Sequence, residues 1–258
     1  MASRERTLAI VVTGAGSGIG RATALLALER GHAVAAVDVD EQGLAELADA
    51  ASRSERLVVS VADVVDPTAV AAAVAAAVER FGRLEALVAA AAIGPTGRID
   101  EMDSTLWDRI VDVTLKGSAI CCRAAIPHMR ASGGGAIVLF GSVLGRAVSP
   151  GVGAYAGAKA GIEGLMRTLA VDHAAEGIRV NAIVPGSTDT PMMWLGVEPG
   201  QLDETRRMCE EDIPLGRVAD AREIAGPILF LASDEASFIT GTTLVADGGI
   251  LAKLASRL

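Results

Sequence analysis

The chain has 258 residues, enough for one large α/β domain or two small ones. It is 51% hydrophobic yet only 3% aromatic, so its core must be built from Ala, Val, Leu and Ile. A net charge of −9 and a pI near 4.9 argue against a nucleic-acid or anionic-membrane partner.

Short β-branched or Ala/Val runs alternate with longer helical patterns. Strands are predicted at 7–13, 33–38, 57–61, 86–90, 136–141, 179–184 and 242–245, and helices near 18–30, 41–52, 67–81, 104–131, 153–176 and 220–232. Continuous apolar strands separated by helices specify a parallel sheet covered on both faces. The fold class is therefore α/β, a doubly wound parallel sheet of seven predicted strands. No linker interrupts the series, which reads as a single domain over residues 1–258. The one long irregular stretch, 186–214, is rich in Gly, Pro and charge, the pattern of a lid or binding loop.

Cys121, Cys122 and Cys209 are odd in number and form no Cys-x-x-Cys pair, so buried, reduced thiols are expected. His32, His128 and His173 lack any paired ligand spacing, and no metal site is assigned. The apolar run at the N-terminus is too short for a signal peptide, and no run reaches the roughly 18 residues of a membrane span. A soluble, cytoplasmic protein is expected.

The first strand runs into Thr13-Gly-Ala-Gly-Ser-Gly-Ile-Gly20. Glycines at 14, 16, 18 and 20 let the backbone turn sharply and approach a pyrophosphate, which rests on the N-terminus of the next helix. Asp38 ends the second strand, where a carboxylate accepts hydrogen bonds from ribose hydroxyls and repels a 2′-phosphate. Ser17 precedes the last Gly-Ile-Gly and Val39 follows Asp38, so no basic residue sits where that phosphate would need one. NAD is expected over NADP. As a helix cap, Asp40 fits better than Asp38 because it directly precedes the helical run.

Tyr155 and Lys159 are four residues apart, on one face of a helix, with Ser142 upstream. Alone, Tyr-x-x-x-Lys also describes an ordinary exposed helix face. Beside a nucleotide site it describes an acid/base: the ammonium pulls the phenol pKa down, and Ser142 holds the reacting oxygen. Leu144 and Val148 after Ser142, and Met192 and Trp194 in the lid, offer an apolar substrate wall.

Thr13–Gly20, Asp63 after the third strand, Ser142, Tyr155, Lys159 and the run Pro185-Gly-Ser-Thr-Asp-Thr-Pro-Met192 together resemble the short-chain dehydrogenase/reductase family, over about residues 7–249. The resemblance implies a Rossmann-like domain, commonly a homotetramer, that transfers a hydride at a secondary alcohol or ketone. It implies a cofactor half over 7–140 and a catalytic and substrate half over 141–258. It makes Tyr155 the catalytic acid/base, gives Lys159 the nicotinamide ribose, and puts Ser142 on the substrate oxygen. Asp63 would contact the adenine edge and Thr190 the nicotinamide carboxamide. Gly14, Ser17, Gly18, Ile19, Gly20, Asp38, Val64, Ala90, Pro185, Gly186 and Thr188 complete the implied cofactor set.

The chain departs from the family twice. Ala89-Ala90-Ala91-Ala92 stands where Asn-Asn-Ala-Gly is usual, and Thr114 replaces the Asn that holds a relay water. Thr114 keeps a carbonyl and a hydroxyl for that role, and the carbonyl is favoured because a helical Thr hydroxyl commonly bonds back to its own preceding turn. The reading is an NAD-dependent alcohol dehydrogenase or ketoreductase. Its rivals are an NADPH-dependent 3-oxoacyl-carrier-protein reductase and a catalytically silent nucleotide-binding scaffold. Apolar residues on more than one face of the long helices (Leu106, Ile110, Val113, Ile120, Ile162, Leu165, Met166 and Leu169) suggest helix-mediated oligomerisation.

Overall fold

The computed structural model describes residues 7–94 and 97–253. Strands β1 (Ala9–Thr13), β2 (Ala33–Asp38), β3 (Leu57–Val61), β4 (Ala86–Ala89), β5 (Gly135–Phe140) and β6 (Ile178–Pro185) join β9 (Thr243–Ala246) in one seven-stranded sheet. The spatial order is β3-β2-β1-β4-β5-β6-β9, and every pairing is parallel. Two short strands, β7 (Thr188–Asp189) and β8 (Ala219–Asp220), form a separate parallel pair.

Alternation along the strands divides the core. Val11, Ala35, Leu87, Ile137 and Ala182 face a layer that includes α3 (Pro67–Phe81), α5 (Gly117–Ala131) and α6 (Gly153–His173). Ile10, Val34, Val88, Val138 and Ile183 face α1 (Gly18–Glu29), α2 (Glu41–Ala50) and α8 (Ala221–Ala232). A strand's period of two sends neighbours to opposite faces, so continuous apolar strands supply both layers at once. β1 lies between β2 and β4, and the order reverses there, opening a crevice beyond the strand C-termini.

Local chemistry sets the helix ends. Asp66 caps α3, accepting from the N–H groups of Thr68 and Ala69, with Pro67 at the first helical position. Asp40 caps α2 by accepting from the Gly43 N–H, which leaves Asp38 available to the crevice.

The stretch 104–131 is not a uniform α-helix. α4 (Ser104–Val111) runs into a π-helical turn, Asp112–Lys116, and then into α5. Single π turns widen the helix and free a carbonyl from the regular ladder, commonly beside functional sites. The lid is not irregular either: it contains β7, a 3-10 turn (Pro199–Gln201) and α7 (Leu202–Asp212). Helix α7 buries no residue, so it has no apolar stripe by which to be found.

Candidate active site

The crevice is a cleft of about 840 Å³, with the glycine turn at one end and the lid at the other. Gly14 adopts φ +68°, and a Cβ there would lie 2.8 Å from the Ala91 nitrogen. A Cβ on Gly20 would meet the Gly14 carbonyl at 2.0 Å. Ser17, at the N-cap of α1, makes no side-chain cap bond, so the first-turn N–H groups are left for a ligand. This turn fits a dinucleotide pyrophosphate: only glycine keeps the backbone close enough, and the helix dipole favours the anion.

Asp38 closes that end. Its carboxylate accepts from the Gly16 N–H at 2.8 Å and from the Asp40 N–H at 3.0 Å. Arg21, one residue beyond the last glycine, points its guanidinium at the carbonyls of Gly16 and Gly43 and pairs with Glu46 at 3.1 Å. One guanidinium nitrogen takes all these partners, while the buried Nε has none. Asp63 and Val64 line the same end. Asp63 accepts from the Val65 N–H and pairs with Arg109 of α4 at 2.9 Å. Burial raises the Asp63 carboxyl, but Val65 and Arg109 outweigh it and hold the group below its usual range. Arg109 also lines the cleft, and sequence reasoning missed it, because an exposed helix Arg carries no signal of its own.

Gly18, Ile19, Ala90, Pro185, Gly186, Thr188 and Thr190 line the middle of the cleft with Ser142, Tyr155 and Lys159. Ser142 follows β5 and is buried, its Oγ accepting from the Leu144 N–H at 3.1 Å. Tyr155 and Lys159 project from α6, the lysine 3% exposed.

The electrostatics differ from the sequence expectation. Burial raises the Tyr155 phenol above its ordinary value, opposed only by a hydrogen bond with Ser142. Burial pushes Lys159 down to about 7. The Lys159 Nζ donates to the Phe140 carbonyl at 2.9 Å and lies 5.4 Å from the tyrosine ring centroid. Desolvation favours the neutral form of both groups.

Thr114 also departs from expectation. It sits in the π turn, 1% exposed, with its hydroxyl 3.4 Å from both the nitrogen and the carbonyl oxygen of Ile93 instead of bonding to its own preceding turn. Its carbonyl accepts from the Ser118 hydroxyl at 2.9 Å. The Ala89–Ala92 run is tethered without side-chain amides, as the Ala91 N–H reaches the Thr13 hydroxyl at 3.4 Å.

At the substrate end, Leu144 and Met192 line the cleft as expected, together with Val143, Val152, Met193 and Leu195. Gly94 packs there as well, and a Cβ on it would lie 3.3 Å from the Tyr155 ring and 3.5 Å from the Met192 sulfur. Two expected wall residues do not belong. Val148 is 72% exposed and lies outside the cleft lining. Trp194 turns away, because its indole N–H is taken by Asp189 at 2.7 Å and its ring by Arg206. Among the described residues, no cluster of His, Cys, Asp and Glu could hold a metal, and no helix is long and apolar enough to cross a membrane.

A glycine turn at the switch point of a doubly wound sheet, leading to a Ser-Tyr-Lys group inside the cleft, defines a nicotinamide-dependent oxidoreductase of the Rossmann type. A sequence model of the family described as Enoyl-(Acyl carrier protein) reductase matches residues 14–251. The chain is 43% identical to cis-4-hydroxycyclohexanecarboxylate dehydrogenase of Sinomonas cyclohexanicum, over 94% of this chain and 96% of that protein. It is 37% identical to 2-(S)-hydroxypropyl-CoM dehydrogenase 3 of Xanthobacter autotrophicus, over 98% and 100%. The solved aldohexose dehydrogenase of Thermoplasma acidophilum superimposes with a TM-score of 0.89 at 30% identity, over 100% of this chain and 98% of that one. The chain belongs to the short-chain dehydrogenase/reductase family.

Proposed function

We propose that this protein is an NAD(H)-dependent dehydrogenase or ketoreductase acting on a small, apolar secondary alcohol or its ketone. The observation that carries the reading is the grouping of buried Ser142 and Lys159 with half-buried Tyr155 in one cleft, between a dinucleotide cradle and an apolar wall. The named relatives, dehydrogenases of hydroxylated compounds, support the reaction class.

When bound, the nicotinamide supplies the hydride acceptor or donor. The chain's own residues orient the substrate and move the proton. Ser142 and Tyr155 hold the substrate oxygen between two hydroxyls. In reduction Tyr155 gives its proton to the developing alkoxide; in oxidation its phenolate takes the proton from the hydroxyl. Lys159 would hold the nicotinamide ribose and return a proton to Tyr155. Asp63 with Arg109 would face the adenine end, and Thr190 the carboxamide.

Asp38 favours NAD and disfavours the NADPH-dependent acyl-carrier-protein reductase reading. A 2′-phosphate about 4 Å from the carboxylate costs about 4 kcal/mol at an effective dielectric near 20. Halving that for solvent screening still leaves more than about tenfold in affinity. Asp38→Ala is expected to weaken NAD and shift the NADP/NAD preference by at least about tenfold toward NADP. Steady-state kinetics with both cofactors check this, and wild type using the two equally would contradict the role of Asp38.

Thr114 is read as the relay position. Its carbonyl retains a second lone pair for a water beside the Ser118 bond, while its hydroxyl ties the Ile93 backbone. Thr114→Ala is expected to lower kcat by about a few-fold with pH limbs unmoved. A drop of 10-fold or more, worth about 1.4 kcal/mol, with a shifted limb would assign the relay to the hydroxyl instead.

The assembly is read as a homotetramer, but the helix face invoked for it is narrower than the sequence suggests. Ile110, Val113, Ile162 and Met166 are spent in the core, and Ile120, Leu165 and Leu169 are half-buried against it. Phe238 is fully exposed and Val171 is 79% exposed, and each is read as a candidate for burial against a second copy. Light scattering at micromolar concentration is expected to show an oligomer, and a monomer would contradict the assembly. Three free cysteines suit a reducing, cytoplasmic setting.

A further inference from the structure

Helix α7 presents a physical problem: it forms one side of the lid, yet none of its residues is buried. With no fully buried residue within it, the helix depends on polar ties for its placement. At its C-terminal end Lys253 donates to the carbonyls of Glu211 and Asp212. At its middle, Arg206 donates to Asp189 Oδ2 at 2.7 Å and stacks 4.8 Å from the Trp194 ring. The Trp194 N–H completes a closed triangle by donating to Asp189 Oδ1 at 2.7 Å. Each Asp189 oxygen has a different partner, and those two partners lie against each other.

The position of this triangle in the chain gives it a consequence. Asp189 lies between Thr188 and Thr190, which line the cofactor region of the cleft. Trp194 lies between Met193 and Leu195, which line its substrate end. Fixing the indole through both its N–H and its face fixes the direction in which the chain presents its two neighbours. Methionine is flexible and adapts to many shapes, so a wall containing Met192 and Met193 is selective only when its backbone is held. We propose that Asp189, Trp194 and Arg206 are positioning residues that clasp the lid and set the shape of the apolar substrate wall, and so discriminate between bulky and small apolar alcohols. The inference rests on the hydride-transfer reading of the cleft.

Asp189→Asn keeps an acceptor for the indole but removes the charge that holds Arg206. With a bulky alicyclic alcohol and a small open-chain one as probes, this variant is expected to raise KM for the bulky alcohol on the order of 10-fold. The small alcohol should change by no more than about 2-fold, with kcat falling less than KM rises. Arg206→Lys, which keeps charge but loses the planar stack, should give an intermediate ratio. The chain has only two tryptophans, so Trp107→Phe leaves Trp194 as the sole tryptophan, read by excitation at a wavelength tyrosine does not absorb. In that background Asp189→Asn is expected to increase acrylamide quenching of Trp194. Unchanged quenching, or KM values for the two alcohols that rise in parallel, overturns the clasp. If wild type turns over neither alcohol, the hydride-transfer reading fails, and the quenching alone then decides whether the clasp exists.

Discussion

Tyr155→Phe is expected to lower kcat by at least about 10²-fold, the usual worth of a positioned general acid or base. The substitution keeps the ring, and with it the packing against Gly94, and removes only the hydroxyl that bonds Ser142. NADH affinity, measured by fluorescence titration, should stay within about 2-fold, because the glycine turn and Asp38 are untouched. Burial raises the phenol above its ordinary value, the direction that suits donation to a developing alkoxide. Near-normal turnover by the variant would exclude the proton-transfer role, and loss of cofactor binding would show instead that the ring organises the cleft.

Lys159→Met carries the second large effect, and it has two opposite faces. Activity should fall at least as far as in Tyr155→Phe, since both the ribose contact and the proton source are lost. Stability should rise. The unfolded lysine titrates at its ordinary 10.5 and the folded one at about 7. The unfolded chain therefore binds more protons between these values, and wild-type stability increases with pH across that window. The penalty is full below about 7 and gone above 10.5. At about 1.4 kcal/mol per unit of difference it is on the order of 5 kcal/mol. Loss of the bond to the Phe140 carbonyl returns about 1–2 kcal/mol of that. Methionine is therefore expected to stabilise the protein by about 3–4 kcal/mol at neutral pH. Urea denaturation at two pH values checks the sign: the gap between variant and wild type should shrink as the pH rises toward 10.5. A less stable variant at neutral pH would mean that Lys159 is buried at no net cost.

Strand pattern was the most legible part of this chain. Each of the seven predicted strands lies within two residues of its observed place, because runs such as Ala33–Asp38 have one reading when both sheet faces are covered. The cofactor end was legible for a similar reason. Glycine, a strand end and a terminal carboxylate are local features, and the bonds to Asp38 span only from Gly16 to Asp40. What sequence hid is set by tertiary contact. Trp194 reads as apolar lining until Arg206, on a helix with no apolar face, takes its ring. The bond from Lys159 to the Phe140 carbonyl joins α6 to the end of β5 and has no signal in the Tyr155–Lys159 spacing. The π turn around Thr114 has no periodicity to announce it, since one widened turn scarcely disturbs a helical pattern.

The account stands most directly on cofactor-dependent turnover. Wild type and Tyr155→Phe would be incubated with a panel of apolar secondary alcohols and NAD, and in parallel with NADP, while formation of the reduced cofactor is followed. The account predicts turnover of at least one alcohol by wild type with NAD, at least about tenfold weaker kcat/KM with NADP, and almost none by the variant. Equal use of NADP, or a Tyr155→Phe enzyme as fast as wild type, would contradict it.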